Sequence, residues 1–527
     1  MEQFILSIAN RTRLLRGITQ LQIPARRTQE LSNPTKPHRS AQLLARFSTE
    51  ADSIQARAEQ ARVHQGFKFR DSIINAHPHL LSEGELMPGI KLEEFQKRRN
   101  ELVQRILCFN LPEIRDRDHI VIIPAATKSY MSENIPYVFR QNTNFLYFTG
   151  CKEPDALLVI TTKKETVNST LFVKEVDERT EIWEGSRTNA SIAPSMFGVD
   201  QALTLSEFER FFRSFINENK KCHVWYDSNN IVQPILHRRL CELMQEINNP
   251  QFIRPTNLFH DMRAIKSEGE INLMKKSCDI ISKAIIKTIE MSKPNMNEHE
   301  LFATVDYEAR MNGAQYLAYP PVVAGGSNAT IIHYINNDQV IPDNKLVLMD
   351  AGCDYYGYSS DVTRTWPISG RFTQEQRLLY EVVLETQNTL IKKLANMSTL
   401  DDLFVDMNLL LGRGLQEIGL LPKFFSGNKF MQATYDYCPH HVSHYLGMDV
   451  HDTGNIQRSI KLQPGMIVTV EPGVYVSLRN QDAPEQFRGI GIRIEDDVLI
   501  TENGPVVLSD KCPKSISDME RLASQNQ

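Results

Sequence analysis

Cysteine is scarce in this chain of 527 residues: eight in all, scattered from Cys108 to Cys512, with no Cys-x-x-Cys pair. That excludes a small disulfide scaffold and a thiolate zinc finger, and it fits a reducing compartment. A basic surplus is missing as well. Lys and Arg number 59 against 64 Asp and Glu, for a net charge of −5, whereas a nucleic-acid binder would normally show excess positive charge. Long apolar runs are also absent. The longest stretch without Asp, Glu, Lys or Arg is 311–337, and it holds Pro320, Pro321, Gly325, Gly326, Asn328 and His333. Such a segment is no lipid-facing helix; it reads as loop and strand lining a buried cleft. What is present is ordinary for a globular protein: 41% hydrophobic and 23% charged residues, in a chain long enough for about two or three domains with a large core.

Charge is unevenly distributed. Residues 1–47 carry eight basic side chains, among them Arg11, Arg13, Arg16, Arg26 and Arg27, against only Glu2 and Glu30. This segment is +6, so the rest of the chain is −11. Leu14, Leu15, Ile18, Leu21 and Ile23 punctuate the basic residues at spacings one helix face presents. Arg-rich, acid-poor and amphipathic is the composition of a mitochondrial transit peptide. Ala45-Arg46-Phe47-Ser48 supplies a matrix-peptidase cleavage context, with Arg two residues before the cut. A disordered basic tail is the alternative. No apolar core of about 7–15 residues follows the basic positions, which excludes a secretory signal.

Beyond the leader, apolar spacing predicts a helix over 92–107, from Leu92, Phe95, Leu102, Val103 and Ile106. Short β-rich runs are expected at 119–126, 145–150, 156–162, 170–174 and 222–227, and helices at 205–217 and 232–247. Mixed strands and helices predict an α/β domain over 85–250. Asn248-Asn249-Pro250 and Arg254-Pro255 mark its end. A second domain, over 265–510, opens with Ser267 and Glu270 as a capping box heading a long helix to about Met291. Asn297 with Glu300, and Thr373 with Gln376, announce further helices. Strands are expected at 345–353, 360–367, 466–470 and 490–500. This half reads as α+β, with antiparallel strands and helices on one side.

The chemistry concentrates in that second half. An apolar strand ends in Asp350, a hairpin signal follows at 353–357, and Asp361 comes eleven residues after Asp350. A hairpin of that length brings both carboxylates to one site, where they repel unless protonated or bridged by cations. Two aspartates capping turns would be the bland explanation of that pair alone. Residues 440–451 then hold His440, His441, His444 and His451, four histidines in twelve residues. Imidazole suits both metal ligation and proton transfer. Glu471 ends another apolar strand. Glu495 lies amid isoleucines, where burial is costly unless it is paired or coordinated.

The order Asp350, Asp361, His444, Glu471, Glu495 resembles the pita-bread metallopeptidases: aminopeptidase P, prolidase and methionine aminopeptidase. MDAGCDYYGYSSDVTRTWP, SHYLGMDVHD, VEPGVY and GIGIRIEDD are similar to the aminopeptidase P branch, as are RQNTNFLYFTG and EPDALLVI in the first half. NAHPHLLSEGELMPGI, with the leader, resembles its mitochondrial members. The resemblance implies a pita-bread catalytic domain of two pseudo-twofold halves behind a creatinase-type N-terminal domain. It further implies two divalent metals, Mn²⁺ first given the mostly oxygen donors. Asp350 would chelate one, Asp361 and Glu495 would bridge both, and His444 and Glu471 would complete the site. The reaction implied is hydrolysis of the bond between an N-terminal residue and a following proline by a metal-bridged hydroxide, with Glu471 managing its proton. His333 and His451 would contact the scissile region, His440 would shape the proline pocket, and Tyr319 and Arg493 would support substrate or ligand binding. The implied partners are peptides with proline second, with no nucleic acid, no membrane, and a homodimer as one possible assembly. Three alternatives stay open: a prolidase restricted to dipeptides, which shares the ligands; a methionine aminopeptidase, which does not need the first domain; and a binding protein on the same fold.

Overall fold

The computed structural model describes residues 81–108, 117–163, 166–175, 177–185, 187–247, 251–396 and 398–525. The basic leader, the 75–80 portion of the mitochondrial-type string and the Asn248–Pro250 breaker lie outside these residues.

The first half begins with helix α1 (Leu92–Leu107), whose Phe95, Leu102, Val103 and Ile106 are fully buried. Strand β1 (His119–Pro124) follows, then helix α2 (Thr143–Thr149), β2 (Leu157–Lys163), β3 (Thr166–Val173), β4 (Gln201–Thr204), α3 (Phe208–Glu218), β5 (His223–Trp225) and α4 (Pro234–Glu246). The strands form one sheet in the order β4-β3-β2-β1-β5. Its inner pairs β1·β2 and β2·β3 are antiparallel, and both edges are parallel. Strand periodicity divides the apolar side chains between two faces. Ile120, Ile122, Leu157, Val159 and Phe172 meet Phe208, Phe212, Leu240 and Leu243 of α3 and α4. Val121, Ile123, Leu158, Ile160 and Leu171 face α1, and this core continues into Leu446, Met448, Ile467 and Leu499 of the second half. Each such buried side chain contributes about 1.5–3 kcal/mol. The two halves therefore share apolar packing.

One expected strand is a helix. The run at 145–150 is rich in aromatics and reads as β, yet α2 occupies it. Asn142 accepts the Phe145 N–H at 3.0 Å, and Gly150 closes the helix at φ 67°, a conformation glycine adopts without strain. The caps outweigh the modest β-preference of Phe and Tyr.

The second half starts with α5 (Glu268–Met291). Its capping box is formed: Ser267 Oγ accepts from Glu270 N and Glu270 Oε2 from Ser267 N. The helix α6 (Glu298–Met311) is boxed in the same way by Asn297 and Glu300. Strands β6 (Val322–Gly325), β7 (Leu346–Ala351) and β8 (Val362–Pro367) make an antiparallel sheet. After helices α7 (Gln374–Lys393) and α8 (Leu400–Glu417) come β9 (Ile467–Val470), β10 (Gly473–Tyr475), β11 (Gly491–Arg493), β12 (Asp496–Thr501) and β13 (Gly504–Val507). A second antiparallel sheet has the order β9-β12-β13, and β10 pairs with β11. The expected strand at 490–500 is thus two strands broken at Ile494-Glu495. The break turns Glu495 out of one ladder: its N–H donates to Thr363 O at 3.1 Å, stitching the two halves of the domain. Thr365 Oγ1 adds a bond to Arg493 O at 3.0 Å.

A candidate metal centre between two sheets

The donors converge along that stitched seam. Asp350 lies on β7, its Cα opposite Val322 of β6 and Thr363 of β8. Asp361 precedes β8, and Glu471 follows β9. Register fixes His444 through the backbone: Thr469 N donates to His444 O at 3.0 Å, and His444 N to Thr469 Oγ1 at 3.1 Å. The His444 Nδ1 donates to Tyr445 O at 3.2 Å, and Nε2 faces the acids. Nε2 is 3.4 Å from Asp361 Oδ2 and 3.6 Å from Glu471 Oε1. Among the described residues, Asp361, His444 and Glu495 each bring one ligand atom within 4.8 Å of the other two.

Burial makes this cluster electrostatically demanding. It raises Glu495 well above the usual carboxylate range, and the neighbouring charge of Asp361 raises it further. Burial also lifts Glu471 to about 7, although the His444 charge pulls the other way. Asp350 is raised by burial against the opposing pull of Arg493. Burial works against the charge on His444, but its bond to Asp361 and the charge of Glu471 lift it to about 9. Four carboxylates share this pocket with one guanidinium and one imidazole. That leaves excess negative charge, which cations would offset while drawing the raised acids, Asp350, Glu471 and Glu495, back down. The donor set of carboxylate oxygens and one imidazole, without a thiolate, suits hard or borderline divalent ions. The residues therefore fit divalent metal ions.

The other expected residues surround the donors. Arg493 donates from Nη2 to Asp350 Oδ2 at 2.6 Å, from Nη1 to Tyr475 Oη at 2.9 Å and from Nε to Thr363 Oγ1 at 3.2 Å. It is engaged by the site's own groups. The Tyr319 hydroxyl lies within hydrogen-bonding distance of Asp350 Oδ1 and Asp361 Oδ1. His440 Nε2 is 2.9 Å from Tyr475 Oη, and burial followed by the Arg493 charge lowers this imidazole to about 4, so it is neutral at ordinary pH. His451 packs edge-on against His444, with ring centroids 4.4 Å apart. Two clefts meet at His333 and His451. One, of about 830 Å³, is lined by His440, His441, His444 and Glu471 as well; the other, of about 450 Å³, by Tyr319, Pro320, Val322, Asp350 and Asp361.

Sequence reasoning passed over three residues here. Thr363 Oγ1 donates to Glu495 Oε2 at 2.6 Å while accepting from Arg493. Tyr475 links Arg493 to His440. Asp497 Oδ2 accepts the Asp361 N–H at 2.9 Å. Thr363 and Asp497 stand next to recognised donors in their strings, which was a usable signal. Tyr475 likewise ends the string VEPGVY, four residues after Glu471.

Residues 272–502 match Metallopeptidase family M24, and residues 95–225 match Aminopeptidase P, N-terminal domain. Xaa-Pro aminopeptidase 3 of Homo sapiens is 40% identical over 456 residues, spanning 85% of this chain and 89% of its own. Intermediate cleaving peptidase 55, mitochondrial, of Arabidopsis thaliana is 38% identical, spanning 86% and 87%. Among solved structures, aminopeptidase P from E. coli with the inhibitor Pro-Leu superposes with a TM-score of 0.74 at 34% identity, over 82% of this chain and 98% of that one. Because the likeness runs through both halves, and not through the donor strings alone, the chain belongs to the M24 metallopeptidases, in the aminopeptidase P family.

Proposed function

We propose that this chain is a metal-dependent aminopeptidase that hydrolyses the bond between an N-terminal residue and a following proline. Asp350, Asp361, His444, Glu471 and Glu495 would hold two divalent cations, Mn²⁺ first. What supports this reading is the cluster of Asp361, His444 and Glu495, with Glu471 3.6 Å from His444 and Asp350 sharing the Tyr319 hydroxyl with Asp361, beside two clefts. The names of the relatives support the substrate class. Bound cations would offset the carboxylate charge and make water nucleophilic at neutral pH.

The chain's own residues supply the rest. Glu471 faces the larger cleft with its carboxylate beside His444, placed to take the proton the attacking water loses. His333 and His451 line both clefts, where a donor would stabilise charge developing on the scissile carbonyl. The leaving nitrogen of an Xaa-Pro bond is a tertiary amide without N–H. A site that grips the amide N–H gains nothing from it, so recognition has to come from enclosing the ring. His440, held neutral against Tyr475, is suited to form part of such a wall.

The composition of residues 1–47 and the mitochondrial name of the Arabidopsis relative support a mitochondrial destination. Fusing 1–47 to a reporter and imaging it tests that, and a cytosolic reporter would refute it. The substrate reading is tested with Ala-Pro-Ala and Ala-Ala-Ala on metal-stripped enzyme, with Mn²⁺, Co²⁺ or Zn²⁺ restored in turn. Loss of the ring leaves the pocket part-empty, and a methylene-scale misfit is already worth about 1–3 kcal/mol. The proline peptide should therefore win by about a hundredfold in kcat/KM. Equal efficiency would replace this reading with a broader aminopeptidase, and cleavage of the dipeptide Ala-Pro with neither tripeptide cut would indicate a prolidase.

A further inference from the structure

Away from the metal seam, Glu298 in the first turn of α6 is fully buried. Its two oxygens accept four hydrogen bonds. Oε1 takes Gly325 N at 2.7 Å and Asn328 Nδ2 at 2.9 Å; Oε2 takes the Tyr334 hydroxyl at 2.7 Å and Gln339 N at 3.0 Å. A buried carboxylate is costly unless so satisfied. All four donors belong to the segment 325–339, which carries His333. The same segment is fastened at Asn337, whose side chain accepts Val323 N and donates to Pro321 O, both at 2.9 Å. Underneath, it rests on Gly491: a Cβ there would meet Ala329 O at 2.1 Å. Gly491 begins β11, the strand that ends in Arg493. A long loop is thus gathered onto one carboxylate, with His333 left at its cleft-facing edge.

We propose that Glu298 is the positioning residue for His333, fixing the loop so that this imidazole stands at the meeting of the two clefts. The inference rests on the reading above, that His333 faces the peptide. A fastener with no link to His333 would weaken the fold and leave the two residues' effects independent, whereas a positioning residue acts through the imidazole and has no effect once that is gone.

The test is a cycle of Glu298→Gln and His333→Ala in the metal-loaded enzyme, with Tyr334→Phe as a milder second variant should the first not fold. Glutamine keeps the volume but presents an NH₂ donor to one pair of loop donors. The substrate is whichever of Ala-Pro-Ala and Ala-Ala-Ala the unaltered chain hydrolyses faster, so a failed substrate reading leaves this test intact. Glu298→Gln should lower kcat by roughly tenfold or more, as small misplacements do, with KM and metal content held. In the His333→Ala background the further loss should stay below about twofold. Tyr334→Phe should follow the same pattern with a smaller loss. Multiplying losses, or an unchanged kcat in a folded Glu298→Gln chain, would overturn the proposal.

Discussion

The imidazole of His444 sits between Asp361 and Glu471, and its neighbour His451 lies 4.4 Å away, ring to ring. The roles proposed for these two histidines can therefore be separated by substitution. Asp361→Ala removes a donor from the Asp361–His444–Glu495 cluster, so the variant should lose at least one metal and turn over roughly a hundredfold slower. His451→Ala should keep both metals while kcat falls. Metal analysis of the purified variants beside their turnover decides between them, and full metal occupancy in Asp361→Ala would remove it from the ligand set. At this scale the sequence was informative where a residue type is chemically loud. Carboxylates ending apolar strands and four histidines in twelve residues announce themselves, since burial of such groups needs a reason. Glu298 was silent, because its meaning lies in contacts 27 to 41 residues away.

The elements explain why the donors meet. Strands β7 and β8 pair with Asp350 opposite Thr363 and Ala351 opposite Val362, which brings Asp361 beside Asp350 at the strand ends. Gly352 makes the approach feasible: a Cβ there would stand 1.8 Å from Ser360 O and 2.8 Å from the Tyr319 ring. Neither neighbour can yield without moving the segment that leads into Asp361. Gly352→Ala should therefore cost about 1–3 kcal/mol or more of stability, and it should weaken metal binding even in the protein that folds. Thermal unfolding with and without added metal measures both effects; an alanine variant with ordinary melting and metal content would show that the hairpin tolerates spreading. Helix spans were legible from caps and periodicity, as at Ser267 and Asn297. The failures had local causes. Cap geometry at Asn142 and Gly150 overrode an aromatic, strand-like run, and the break at Ile494-Glu495 is set by bonding to Thr363, a partner 132 residues distant, which strand propensity does not encode.

Across the whole molecule, one buried ionic cluster ties the catalytic sheets to the C-terminal segment. Asp496, beside Glu495, accepts from Arg364 Nη2 of β8 at 2.7 Å, Gln387 Nε2 of α7 at 2.8 Å, Ser509 Oγ at 2.7 Å and Lys514 Nζ at 2.6 Å. Strand β8, helix α7 and the C-terminal segment thus depend on a single carboxylate. Burial alone would raise its pKa, but the charges of Arg364 and Lys514 prevail and hold it at about 2, below the ordinary 3.8. A carboxyl depressed on folding stabilises the native state above the unfolded value and loses that stabilisation as pH falls through the folded one. The window runs from about 3.8 down to about 2, and the difference is worth about 2 kcal/mol. An Asp496→Asn chain cannot titrate there. Its deficit relative to the unaltered protein should therefore be largest above pH 4 and should shrink by about 2 kcal/mol as pH falls toward 2, because protonation deprives the native carboxyl of the same ion pairs. Denaturant unfolding of both proteins, metal-free so that ligand protonation is not confounded with metal loss, reads the difference directly. A deficit that stays constant through the window would mean that Arg364 and Lys514 do not hold Asp496 ionised, and that packing, not charge, fastens the C-terminal segment to the catalytic sheets.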